Sequence, residues 1–140
     1  ANWPWLISVG DDVTLASNVR ILAHDASTVK AGAHTKIGVV KIGNNVFIGA
    51  DSIVLCNTRI GDNVIIGAGS VVTHDIPSGS VYAGNPAKFV CSFSDFQAKH
   101  LKNLETKPYF SEHRWDEWAN ASEEERQEMR KRLESTFGYV

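Results

Sequence analysis

His24 stands at the last regular position before a repeating pattern breaks, in the segment Ile21-Leu22-Ala23-His24-Asp25. Histidine is the side chain whose ordinary pKa, about 6.5, lets it take up a proton near neutral pH. A hydroxyl that attacks a carbonyl must lose its proton, and a base held against it speeds that step by roughly 10²–10⁴-fold. Asp25 follows immediately; neighbours on a strand point to opposite sides, so it orients His24 only if the chain turns there. Otherwise it caps a corner or loop. Asn57 is set beside His24, about 5 Å away in the next coil, by the 18-residue register described below. It could hydrogen-bond the imidazole or an acceptor, or be an ordinary corner asparagine. His34 lies inside the segment that interrupts the pattern and could reach the same place, although most loop histidines do nothing specific.

A covalent route through Cys56 needs an activating base at the thiol. The register turns Cys56 to a side neighbouring that of Asn57 rather than toward His24. Cys56 and Cys91 are too few for a disulfide framework and neither sits in a CxxC motif, so two reduced thiols in a cytoplasmic protein are expected.

The elements that must position these residues come from an internal repeat. Residues 42–59 read IGNNVFIGADSIVLCNTR and residues 60–77 read IGDNVIIGAGSVVTHDIP. Ile42, Ile48, Val54, Ile60, Ile66 and Val72 recur every sixth place, with Val46, Ser52, Thr58, Val64, Ser70 and Ile76 four residues after each. Upstream, Val9, Leu15 and Ile21 keep the same grammar. A period of six suits neither a 3.6-residue helix nor a lone two-sided strand. It suits a solenoid of triangular cross-section, one hexapeptide per face, with equivalent residues stacked about 4.8 Å apart. The corners carry Gly10-Asp11-Asp12, Gly43-Asn44-Asn45 and Gly61-Asp62-Asn63, residue types that tolerate left-handed backbone angles.

Aligning Ile21 with Val54 leaves about 15 extra residues, roughly 27–41, which must leave the solenoid as a loop. Loops thrown out of repeat scaffolds often sit on a functional face. The repeat ends after Pro86, so residues 1–90 are expected to form the solenoid and 91–140 a helical tail that packs on it or caps its open end. Ser94–Gln97 and Ser122–Glu125 both fit the capping-box pattern, and Arg130-Lys131-Arg132 suits a helix C-terminus. Phe93, Phe96, Leu101 and Leu104 form one apolar stripe, Met129, Leu133 and Phe137 another.

Three segments, ILAHDAS (21–27), the pair IGNNVFIGA (42–50) and IGAGSVVTHDIP (66–77), and VYAGNPAK (81–88), resemble the hexapeptide-repeat acyltransferases. The likeness runs from about Trp3 to Val90 and is nearest the maltose, galactoside and polysaccharide O-acetyltransferase branch. It implies an all-β fold, a left-handed parallel β-helix with a protruding loop; ordinary parallel crossovers are right-handed, so the hand comes from the likeness alone. It further implies a homotrimer whose acetyl-CoA lies between neighbouring solenoids, His24 as the general base, and direct transfer to a hydroxyl of a sugar or polysaccharide precursor. The positions matching the family's acyl-CoA contacts are Ala50, Ala68, Thr73 and His74, with Lys88 at the phosphate-bearing end. His74 stands where relatives often carry lysine, and Phe47 where many carry tryptophan. No metal is required on this reading.

Other readings on the same architecture are an amino-sugar N-acetyltransferase, a serine O-acetyltransferase, a metal enzyme of the γ-carbonic anhydrase kind, and a non-catalytic scaffold. His24, His34 and His74 do not supply the close histidine pair that the metal reading needs. A formal charge of −2 on 140 residues gives no electrostatic reason to expect nucleic acid or an anionic membrane. No apolar run approaches the roughly 20 residues of a membrane span, and no leader-like segment opens the chain. The abrupt start at Ala1-Asn2-Trp3-Pro4-Trp5 leaves room for a segment upstream.

Overall fold

The computed structural model describes residues 2–140; Ala1, where the expected solenoid begins, lies outside the described residues. Each hexapeptide forms a short strand with two inward residues, and three strands make a coil. The first coil is β1 (Ile7–Val9), β2 (Val13–Leu15) and β3 (Arg20–Ile21). A hairpin of β4 (His24–Asp25) and β5 (Lys36–Ile37) then leaves the solenoid. The second coil is β6 (Val40–Ile42), β7 (Val46–Ile48) and β8 (Ile53–Val54), and the third is β9 (Thr58–Ile60), β10 (Val64–Ile66) and β11 (Val71–Val72). Equivalent strands pair in parallel, giving three faces: β1-β6-β9, β2-β7-β10-β12 and β3-β8-β11. After Ile76, which bridges to Ile60, β12 (Ser80–Ala83) adds to the second face, and β13 (Lys88–Ser92) folds back antiparallel along it.

The register is that of the sequence. Ile42 pairs with Ile60 at a separation of 18, and Val9 pairs with Ile42 across the hairpin at 33. Val40, Ile42, Val46, Ile48, Val54, Ile60, Val64, Ile66, Val72 and Ile76 form the buried column. Each contributes on the order of 1.5–3 kcal/mol by leaving water. Ser52, Thr58 and Ser70 stand in the same inward places and are wholly buried. Val9 and Leu15, inward by pattern, stay 46% and 43% exposed, because the first coil has a stacked neighbour on one side only.

The corners divide the labour between residue types. Asp12, Asn45 and Asn63 stack at one corner and take φ of 53°, 52° and 52°. The glycines that precede them are not left-handed. A Cβ on Gly43 would run into Asp62 Oδ1, which accepts the Asn44 N–H at 2.7 Å. The glycine is needed for close approach, and Asx residues carry the left-handed turn.

Chain contacts divide the protein into two compact units, Ala1–Phe96 and Gln97–Val140. The first extends past the expected end at residue 90, because β13 pairs with β12 where the repeat has already lapsed. The helix α1 (Phe93–Asn103) starts before the Ser94–Gln97 pattern predicts: Ser92 Oγ, not Ser94, accepts the Asp95 N–H at 3.0 Å. The helix α2 (Glu123–Arg132) has the expected box, with the Glu125 N–H donating to Ser122 Oγ and the Ser122 N–H to Glu125 Oε2. Phe110 is the buried centre of the second unit, edge-on to Trp118 and under the Arg132 guanidinium. Leu101, Leu104 and Phe137, members of the expected apolar stripes, remain exposed. Among the described residues no helix is long and apolar enough to cross a membrane.

Candidate active site at the base of the hairpin

The hairpin is pinched where it leaves the solenoid. The Gly38 N–H donates to Ala23 O at 3.0 Å, and the Thr58 N–H takes Val39 O at 3.2 Å as the chain rejoins the coil. The excursion therefore spans 24–38, and Val40 and Lys41, expected in the loop, belong to β6. His24 pairs with Ile37 and Asp25 with Lys36. Within the loop, a 3₁₀ turn over Ser27–Ala31 ends at Gly32, whose φ of 81° reverses the chain.

His24 lies on a cavity of about 230 Å³ lined also by Leu22, Asp25, Lys36, Leu55, Cys56 and Thr73. Leu22, Leu55 and Thr73 are successive rungs of one ladder, because Leu22 N–H donates to Val54 O and Leu55 N–H to Val72 O. The apolar wall is thus a product of the repeat, and the polar rim a product of the hairpin. The Trp3 ring stands 5.1 Å from the His24 ring, centroid to centroid, tilted by 58°. Among the described residues no hydrogen bond reaches the imidazole of His24.

Asp25 has the loop-capping arrangement. Its Oδ1 accepts the Ser27 N–H at 2.8 Å. Hydrogen bonding from the Ser27 side chain and then its backbone holds the Asp25 carboxyl below the usual carboxylate range, with smaller help from the charges of Lys36 and His24. His34 is held by its carbonyl, 2.7 Å from Thr28 Oγ1, and its side chain is not part of the cavity wall. Asn57 does not stack on His24. Its neighbour in the preceding coil is Gly38, where a Cβ would approach Asn57 N to 2.7 Å. The register fails there because the hairpin carries His24 out of the coil before Asn57's partner position is reached.

Of the positions matched to acyl-CoA contacts, Thr73 shares the cavity with His24, and its Oγ1 lies 2.6 Å from His74 Nδ1. Ala50 and Ala68 belong to a different corner, between the second and third faces, where Gly69 N–H donates to Ala50 O. Lys88 opens β13 opposite Ala83 and is exposed. Cys56 was expected to turn to a side other than that of His24; it is buried and lines the same cavity, next to Leu55 on the ladder that forms the wall. Both cysteines are free thiols. Among the described residues no three histidine, cysteine or acidic side chains cluster as metal ligands would.

The three-faced solenoid, with a histidine at the base of the excursion, has the architecture of a hexapeptide-repeat β-helix. Residues 40–74 match the family described as "Bacterial transferase hexapeptide (six repeats)". The chain belongs to this hexapeptide-repeat family of bacterial transferases, and its fold is the left-handed parallel β-helix of that family. Protein CapG of Staphylococcus aureus is 44% identical over 106 residues, which are 73% of this chain and 62% of CapG. Among solved structures, a maltose O-acetyltransferase from Clostridium difficile 630 is 34% identical with a TM-score of 0.56, over 63% of this chain and 59% of that one. A galactoside acetyltransferase in complex with coenzyme A is 31% identical with a TM-score of 0.60, over 77% and 52%. The chain thus spans about three fifths of the length of CapG.

The signal for Leu22, Leu55 and Thr73 was present in the 18-residue register, which stacks them. Lys36 followed only once the hairpin's pairing was known. Trp3 precedes the repeat and had no periodic signal at all.

Proposed function

We propose that this chain transfers an acetyl group from acetyl-CoA to a hydroxyl of a sugar or polysaccharide-precursor acceptor, with His24 as general base. The observation that carries the reading is the His24 imidazole, free of hydrogen bonds among the described residues, on a cavity walled by Leu22, Leu55 and Thr73. In this reading His24 takes the acceptor hydroxyl's proton as that oxygen forms a bond to the acyl carbon. The carbon–sulfur bond breaks, and the imidazolium returns the proton to the departing sulfur, leaving the acetyl ester and free CoA thiol. No covalent acyl-enzyme is needed, and Cys56 serves as wall.

Ala50 and Ala68 suit the donor's pantetheine arm, since methyl side chains leave the strand backbone at that corner open to it. They stand at a different corner from His24, which favours a homotrimer in which one chain supplies the base and its neighbour the donor wall. Outward-facing Phe47 and Ile65 on the second face, and Ile53 and Val71 on the third, give those faces the apolar surface an interface uses. Lys88 supplies a cation for the phosphate-bearing end. Two free thiols agree with action in the cytoplasm.

The test is release of free thiol from acetyl-CoA against a panel of sugars, amino sugars, nucleotide sugars and serine. Acceptor-dependent release with hydroxyl sugars supports the proposal. Release confined to amino sugars or to serine would replace the acceptor class, and failure to bind acetyl-CoA would leave a scaffold.

A further inference from the structure

We infer that Trp3 is a positioning residue for the reaction: its ring fixes the His24 imidazole and stabilises the positive charge that the imidazole carries during proton transfer. The inference rests on His24 being the base.

A base that becomes an imidazolium needs something to hold that charge. In many sites a carboxylate hydrogen-bonded to the ring does so, but here Asp25 Oδ1 receives the Ser27 N–H, its charge interaction with His24 is the smallest of those acting on it, and no hydrogen bond among the described residues reaches the His24 ring. What does touch it is indole. A centroid separation of 5.1 Å lies inside the roughly 6 Å over which an aromatic ring attracts a cation, and tryptophan is the strongest of the three aromatic side chains in this respect.

The backbone supports the same conclusion. Trp3 has φ 59° and ψ 54°, the left-handed region, which is a genuine outlier for a bulky residue. It also precedes Pro4, and a following proline disfavours helical-type backbone, pressing the residue before it toward extended angles. Strain of this kind persists only where the surroundings over-determine it, and it gathers at functional sites. The turn is locked by the Leu6 N–H donating to Trp3 O at 3.0 Å, and β1 begins at the next residue and pairs with β6, the strand on which the hairpin chain rejoins the coil. Trp3 is thereby tied through β1 to β6, and His24, on β4, pairs with β5, the strand that leads directly into β6.

During transfer the acceptor's proton moves to an imidazole nitrogen, the positive ring sits against the indole, and the proton then leaves to the thiolate sulfur. The indole gains and loses nothing; it lowers the energy of the charged form only while that form exists.

The experiment compares Trp3→Leu, Trp3→Phe, His24→Ala and the Trp3→Leu/His24→Ala pair. Thiol release from acetyl-CoA is measured with the best acceptor of the panel above, or with water where none exceeds hydrolysis. Trp3→Leu is expected to lower kcat about 10-fold with KM for acetyl-CoA within about 2-fold, and Trp3→Phe to recover to within about 3-fold of wild type. In the His24→Ala background the leucine change should add nothing. The inference fails if Trp3→Leu turns over normally, if phenylalanine is no better than leucine, or if the loss is the same without His24. Should the leucine variant not fold, NMR of the wild-type protein decides: the His24 ring-proton signals must be displaced by the indole ring current, and their absence of displacement overturns the proposal. A fully active His24→Ala variant would instead remove the base itself, and this inference with it.

Discussion

An imidazole without a hydrogen-bonded partner acts through its position, so removing it should cost rate rather than donor binding. His24→Ala is expected to lower kcat by at least about 10²-fold while acetyl-CoA affinity, measured by calorimetry, stays nearly unchanged. Near-normal turnover would take His24 out of the chemistry. Cys56→Ala should keep kcat within about threefold, since a wall residue can be trimmed where a nucleophile cannot; a collapse of turnover with donor binding intact would point to an acyl-enzyme. Away from the site, Thr58 Oγ1 is buried in the column with no hydrogen-bond partner among the described residues. Thr58→Val removes that unmet hydroxyl at nearly constant shape, and we expect unfolding free energy to rise by about 1 kcal/mol in urea titration. A lower midpoint would mean the hydroxyl is satisfied. At this scale the sequence was informative where a residue obeyed the register and misleading where it did not. Leu55 and Thr73 share one ladder by the 18-residue stack, although Thr73 was reached through the likeness, whereas at Asn57 the hairpin substitutes Gly38 for the neighbour that the register predicts.

The elements differ in how openly their ends are signed. Helix α2 carries its own instructions: Ser122 and Glu125 close a reciprocal box, and the Glu125 carboxyl is held below its usual range of about 4.5, first by the Ser122 N–H and then by His113. A depressed folded-state pKa contributes stability that is present above the unfolded value and is lost as pH falls through the folded one. Helicity at 222 nm should therefore decline as pH drops from about 5 toward about 3, and Glu125→Gln should start lower and lose less over that interval. Equal acid losses in both proteins would assign the change to other carboxylates. Helix α1 was less legible, because two serines two residues apart offer the same cap and it is Ser92 whose Oγ accepts the Asp95 N–H. The strand β13 was not legible at all. Its pairing partner β12 lies across a turn at Gly84–Ala87, and nothing periodic marks an antiparallel return.

For the molecule as a whole, the repeat made the three-faced coil readable, since a column of Val and Ile at every sixth place needs one hexapeptide per face; the hand of the coil came from the likeness. An assembly is implied only by the resemblance; in one chain His24 and the corner of Ala50 and Ala68 stand apart. A homotrimer by light scattering at micromolar concentration is the expected state. Mixing makes the sharper test. A His24→Ala chain and a chain altered at Ala68 or Lys88 to block donor binding should each be nearly inactive alone. Co-refolded, roughly a quarter of sites should receive both intact halves by random assortment, and activity should return well above either parent. No recovery in verified mixed trimers would confine the site to single chains.

The pinch at Ala23 and Gly38 has a consequence for how such a protein can change over generations. The excursion is closed at its base by the Gly38–Ala23 hydrogen bond, and beyond it Val9 meets Ile42 in register. Length and composition of the loop are thereby insulated from the coil's own arithmetic. Insertions there cost little, since closure entropy grows only slowly with loop length. On the proposed function, acceptor preference can drift through the hairpin while the column of Val and Ile stays as it is.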